Sequence, residues 1–70
     1  MGIRFFVESK EEAGVIANIL ADLAQCKPVV DTDPAFPILT RVSYPVVDDE
    51  KEFLIIAQEN GAGSISHYQP

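Results

Sequence analysis

The chain has 70 residues, 47% of them apolar, and sets five Lys and Arg against eleven Asp and Glu for a net charge of −6. That length bounds it to one domain, residues 1–70, and a domain of this size buries only about 60% of its unfolded surface. The apolar content excludes a disordered chain, and the acidity argues against direct nucleic-acid binding, which Lys and Arg drive by neutralising phosphates.

The start, Met1 to Phe6, lacks the apolar core of a signal peptide. Gly2 hints at myristoylation, but Phe6 stands where that motif requires Ser or Thr. No apolar run approaches the roughly 18 residues that a membrane span needs. The expected compartment is cytoplasmic, with no membrane partner. The single cysteine, Cys26, excludes an intramolecular disulfide framework.

Ile3 to Glu8 reads as the first strand, with Ile3, Phe5 and Val7 on one face and Arg4, Phe6 and Glu8 on the other. Ser9 to Gln25 is the clearest helix. Ser9 with Glu12 three residues on makes a capping box, and Glu11 and Glu12 place negative charge in the first turn, where the macrodipole favours it. Pro28 cannot continue a helix and disfavours helical geometry at Lys27, which sets the expected end near Gln25 or Cys26. At 100° per residue, Val15, Ile16, Ile19, Leu20 and Leu23 form one apolar arc that must face a core. Gly14, Ala17 and Ala21 form a shoulder of small residues, either a place for a second helix to approach or a reflection of alanine's helix propensity.

Val29 and Val30 predict a short strand. Asp31-Thr32-Asp33-Pro34 carries turn chemistry, and Pro34 and Pro37 bracket a stiff loop with Phe36 at its tip. Ile38 to Tyr44 is a strong strand by β-branched content and alternation. It places Ile38, Thr40, Val42 and Tyr44 on one face and Leu39, Arg41 and Ser43 on the other.

Asp48 to Asn60 admits two readings. As a helix it has an Asp48 or Asp49 cap, acids in the first turn and Gly61 as a stop. Phe53, Ile56 and Ala57 then face inward and Ile55 outward. As a strand, Phe53 to Gln58 is a buried run and Asn60-Gly61 a hairpin turn. The helix is the preferred reading. After an Ala62-Gly63 loop, Ser64 to Tyr68 predicts the last strand.

The order is then β-α-β-β-α-β, an α+β ferredoxin-like arrangement with both helices on one face of a small antiparallel sheet. If the fifth element is a strand, the alternative is β-α-β followed by an antiparallel meander with a single helix. Within this frame, Gly14 to Ala24 resembles the first helix of the ACT family of amino-acid-binding regulatory domains. The resemblance covers that helix alone. The family's strand-to-helix loop is not matched by Glu8 to Gly14, and no ligand residue carries over.

The chain offers little chemistry. Asp48, Asp49, Glu50 and Glu52 could offer oxygen ligands to a divalent cation. They lack the spacing and the glycine of a calcium loop, and the helix dipole already accounts for acids at that position. Asp31 and Asp33 form a D-x-D pair suited to metal or acid–base work, but the Pro that follows favours a turn. Cys26 and His67 are the only thiol and imidazole, and Cys26 sits at a helix C-terminus, where the dipole opposes a thiolate. The expectation is no catalytic residue, no cofactor and no metal.

The informative constellation is Arg4, Phe6, Leu39 and Arg41. With the first and third strands as neighbours, all four share the sheet face that the helices leave open, with Tyr68 or Ser66 able to join them. Such a face suits a partner protein, a second copy of the chain or a small anion. The expected function is therefore a non-enzymatic binding or regulatory module, a homodimer or a module with a protein partner. The runner-up is an acidic inhibitor, phage-borne or immunity-type, that imitates a nucleic-acid backbone and blocks a basic site. A third reading, a small enzyme or a subunit completing an active site between chains, would depend on His67 or Asp33.

Overall fold

A computed structural model describes residues 1–70. The elements are β1 (Gly2–Val7), α1 (Lys10–Leu20) followed by a 3-10 turn (Ala21–Leu23), β2 (Val29–Asp33), β3 (Phe36–Tyr44), α2 (Glu50–Glu59) and β4 (Gly63–Tyr68). The four strands form one sheet in the order β2-β3-β1-β4, every neighbouring pair antiparallel. Each βαβ unit thus steps over one strand, and the fold is α+β, ferredoxin-like β-α-β-β-α-β. No helix is long and apolar enough to cross a membrane.

α1 starts as its sequence dictates. The Glu12 N–H donates to Ser9 Oγ at 3.2 Å, while the Glu12 carboxylate reaches back one residue further than expected and accepts from the Glu8 N–H at 3.3 Å. The end differs from the expectation. α1 stops at Leu20 rather than near Gln25 or Cys26, and the chain tightens into the 3-10 turn. The competing interactions are tertiary. Leu23 and Ala24 pack against the core, Ala24 bridges to Val47, and the Leu23 carbonyl accepts from the Asp48 N–H at 3.1 Å. One more α-helical turn would forfeit these contacts.

The buried stripe of α1 is Ala13, Ile16 and Leu20. This corrects the predicted arc, because Val15 is 61% exposed and Ile19 42%. The small side chain of Ala13 faces the core, so the helix is turned toward its alanine side.

α2 resolves the ambiguity of 48–60 in favour of the helix. Asp49 is the N-cap and its carboxylate accepts from the Glu52 N–H at 3.2 Å. Phe53 and Ala57 are buried, Ile56 is half-buried and Ile55 points outward. The core joins Ile3, Phe5 and Val7 of β1 with Val42 and Tyr44 of β3, under the two helices. At its centre Phe5, Tyr44 and Phe53 pack as an aromatic trio, with Tyr44 and Phe53 edge to face at 5.0 Å between centroids.

The second correction concerns β2. The strand continues through Asp33 instead of ending at Val30, and Phe36 lies in β3 instead of at a loop tip. Only Pro34 and Ala35 form the turn, tightened by the Ala35 N–H donating to Asp33 Oδ1 at 3.0 Å. Pro37 is tolerated inside β3 because it lies beyond the last β1 pair, Val7 with Thr40, so its missing N–H costs no ladder bond to β1.

Candidate functional site

β1 and β3 pair in the register that places Arg4 beside Ser43 and Phe6 beside Arg41. Side chains alternate across a strand, so these four residues and Leu39 face away from the helices. The outer strands add to them: Val29 and Asp31 lie opposite Ser43 and Arg41, and Ser66 and Tyr68 lie opposite Arg4 and Gly2. The four predicted surface residues, Arg4, Phe6, Leu39 and Arg41, are therefore on one face. Each is half-buried.

Neither cation on this face is free. Arg41 holds Asp31 in a two-pronged pair, Nε to Oδ1 and Nη2 to Oδ2, both at 2.8 Å. Its Nη1 reaches Asp33 Oδ2 at 3.4 Å. The fork geometry of guanidinium and carboxylate makes such pairs the stronger kind of charge-assisted hydrogen bond. The hydrogen bond from Arg41 lowers the pKa of Asp31 below the ordinary carboxylate value. Arg4 lies flat over Tyr68, its Cζ 4.0 Å from the ring centroid, and its Nε donates to Ser43 Oγ at 3.4 Å. Phe6 and Phe36 meet edge to face at 5.3 Å.

Gly2 makes the Tyr68 position possible. A Cβ there would lie 2.5 Å from Tyr68 Cε1 and 2.9 Å from the Tyr44 carbonyl oxygen. Only a residue without a side chain lets β1 pass beneath that ring.

The other candidates dissolve into structural roles. Asp31 and Asp33, read from sequence as a turn or a D-x-D site, are spent on Arg41 and on the turn itself. In the acidic cluster, Asp49 caps α2, Asp48 accepts from Gln25 Nε2, and Glu50 pairs with His67. No three His, Cys, Asp or Glu side chains come together to share a metal ion. Cys26 contacts the Val46 carbonyl, Sγ to O 3.8 Å, while His67 is engaged with Glu50, so the two hold separate partners.

The chain matches no family model, no curated protein and no solved structure. The likeness to an ACT first helix accordingly stays where the residues put it, and even there Gly14 to Ala24 is α-helical only to Leu20.

Sequence reasoning missed Phe36, Asp31 and Asp33 as members of the open face. Part of the signal was present: alternation from Val29 puts Asp31 and Asp33 on one side of β2. A regular two-residue turn at Pro34-Ala35 would set Asp31 opposite Ile38, and it is the irregularity between Asp31 and Asp33 that sets Asp31 opposite Arg41 and Asp33 opposite Phe36. The weight given to Asp and Pro as turn formers hid that pattern.

Charge divides between the two sides of the sheet. The open face carries Arg4, Arg41, Asp31 and Asp33, which cancel. The other nine of the eleven carboxylates, with Lys10, Lys27 and Lys51, lie on the helices and their connections. The net charge of −6 is therefore carried by the helices and the connections, outside the paired strands.

Proposed function

We propose that this chain is a small acidic, non-enzymatic binding module that works through protein–protein contact at its open sheet face, with a second copy of itself as the occupant. The supporting observation is the division of charge. Two copies of a chain carrying −6 repel wherever their helix sides meet, and the open face is the one large surface where they do not. Its composition fits. Phe6, Phe36 and Tyr68 stand beside Arg4 and Arg41, with no lysine, and interface centres are enriched in aromatics and Arg and depleted in Lys. A two-fold pairing would set the same patch against itself. Sedimentation velocity at micromolar concentration tests the reading. A dimer is expected in the wild type and a monomer in Phe6→Glu, and a wild type that stays monomeric throughout, unaffected by that change, overturns it.

The same division of charge favours a second reading, an acidic inhibitor that seats its helix side on a basic surface of a target protein. Asp22, Asp49 and Glu52 are exposed there. Binding of this kind weakens with salt and is indifferent to Phe6→Glu. The first reading predicts the opposite on both counts.

A further inference from the structure

α1 and α2 follow the antiparallel strands β1 and β3, so they run antiparallel to each other over the sheet, and they meet along a seam. On the outer side of that seam lies a groove of about 260 Å³, lined by Val15, Ile16 and Ile19 of α1, by Asn60 at the end of α2, and by the acids Glu11 and Glu12. Val15 and Ile19 are 61% and 42% exposed, and Ile55, which points outward from α2, is 49% exposed. The volume is below the roughly 300–1,000 Å³ of small-molecule sites, so the groove suits side chains carried in on another chain. Charge is sorted around it. At about 100° per residue, Glu12 stands about 20° from Ile19 around α1, whereas Lys10 stands about 180° from it. On α2, Ile56 lies one turn before Asn60 and shares its side. Glu52 and Glu59 stand about 40° and 60° from Ile56, and Lys51 about 140°. The acids of both helices thus edge the seam and the lysines turn away. The fold itself does not require this. Glu59 sits in the last turn of α2 and Asp22 just past the end of α1, with no basic residue in either last turn, although the macrodipole favours a cation there. Glu11, Glu12, Glu52 and Glu59 have no ion-pair partner, since the chain's ion pairs use Asp31, Asp33 and Glu50.

We propose that this seam receives a basic amphipathic helix of a partner protein, its apolar stripe laid on Val15, Ile19 and Ile55 and its Lys and Arg set against Glu11, Glu12, Glu52 and Glu59. An apolar strip edged by one sign of charge complements such a helix in both features. Val15 and Ile19 are one turn apart, the spacing at which a docked helix presents its own anchors. The occupant is not a second copy of the chain. α1 and α2 carry one lysine each, and a copy brought to the seam by its helices would set carboxylates against carboxylates. The proposal rests on the second reading above, the acidic helix side on a basic target, and names the element of the target that it grips. It is independent of pairing at the open face.

Two synthetic peptides of Leu and Lys, roughly 15 residues long, separate shape from charge. One places Leu on a single helical face, and the other has the same composition in an order that scatters Leu around the helix. In an amide NMR titration of the full chain, the ordered peptide should shift Val15, Ile19 and Ile55 and bind about 10-fold more tightly than the scattered one, the worth of one docked apolar anchor. Added salt should weaken both. Val15→Ser, a change at a side chain already in water, should weaken the ordered peptide about 3- to 10-fold and leave the scattered one as it was. Equal binding of the two peptides by the wild type, lost in salt, would leave the acidic reading standing on charge alone and overturn the helix-binding seam. Shifts gathered on the open face overturn it too, as does a Val15→Ser chain that binds the ordered peptide like the wild type. If neither peptide binds at about millimolar concentration, the seam and the acidic reading fall together.

Discussion

Phe5 and Phe6 are neighbours in one strand and live in different solvents. Phe5 points under the helices, is fully buried and packs between Tyr44 and Phe53. Phe6 points to the open face, is half-buried and touches the ring of Phe36. The two sides of the sheet hide apolar surface by different means. One side is roofed by α1 and α2, whose Ile16, Leu20 and Phe53 close the core. The other has no roof and covers itself with long side chains laid flat, Arg4 over Tyr68 and Arg41 across to Asp31 and Asp33. Charged stems that lie along a surface bury apolar area while keeping their heads wet. A roof of layered elements resists change, whereas a cover of side chains can be lifted by a partner at little cost. That difference is why the open face is the candidate for binding.

The contrast breaks most sharply at those two rings. Phe5→Ala removes a fully buried side chain from the centre of the core and is expected to cost about 3–5 kcal/mol, most of the stability that a domain of this size holds. Phe6→Ala removes one edge-to-face contact and partial burial, for about 1–2 kcal/mol. Urea denaturation of both variants measures the gap. Equal losses would mean that the open face is as closed as the core.

A second difference appears at high pH. Burial raises the Tyr44 pKa to about 12, helped by the charge of Cys26, while an unfolded tyrosine titrates near 10. Between those values the unfolded chain releases a proton that the folded chain retains, so stability falls as pH rises from 10 to 12. The loss should approach about 2–3 kcal/mol. Tyr44→Phe should remove the alkaline loss and be neutral to stabilising at pH 7, because it deletes a buried hydroxyl that has no partner. Thermal melts of the variant and the wild type across pH 9 to 12 read the difference.

How much of this was legible beforehand depends on which interactions set each feature. The element order, the Ser9 cap, the Asp49 cap, the inward face of β1 and that of β3 from Thr40 onward follow from local chemistry and alternation, and were readable, whereas Ile38, put on the same face by alternation, is 88% exposed because it lies beyond the last pair with β1. The end of α1 was not, since it is set by Leu23 and Ala24 meeting the distant segment at Val47 and Asp48. The rotation of α1 that exposes Val15 and Ile19 was hidden for the same reason, because hydrophobicity alone does not reveal which side a sheet prefers. On the open face, Arg4, Phe6, Leu39 and Arg41 were legible by parity of strand positions. Their partners were not. Asp31 and Asp33 carry strong turn propensity, and only the pairing of β2 with β3 makes them a clamp on Arg41.

Gly2 tests how firmly the open face is laid down. Its missing Cβ would sit 2.5 Å from Tyr68 and 2.9 Å from a backbone carbonyl, and the second of these cannot yield by a rotamer change. Gly2→Ala should therefore push Tyr68 off β1, uncover Arg4 and cost about 1–3 kcal/mol. Near-ultraviolet circular dichroism would report the displaced ring. A substitution that leaves that signal and the melting point unchanged would show that the face is soft enough to absorb a methyl group.

The smallest effect belongs to the clamp, and its sign is fixed by the direction of the Asp31 shift. Because Arg41 holds the folded-state pKa of Asp31 below the unfolded value, the pair stabilises the fold above the ordinary carboxylate range. That contribution is lost as pH falls through the lowered folded value, where Asp31 takes up its proton. Asp31 is 42% exposed in its side chain, so solvent and salt screen the pair and the effect stays at the level of other surface ion pairs. Asp31→Asn should lower the melting point slightly at pH 7 and not at all at pH 2, and the difference should shrink in high salt. If the loss were as large as that from Phe5→Ala, Arg41 would be anchoring the sheet and the open face would need reading as a second core. If it is small, the clamp is a cover that a competing carboxylate or a second copy of the chain can displace.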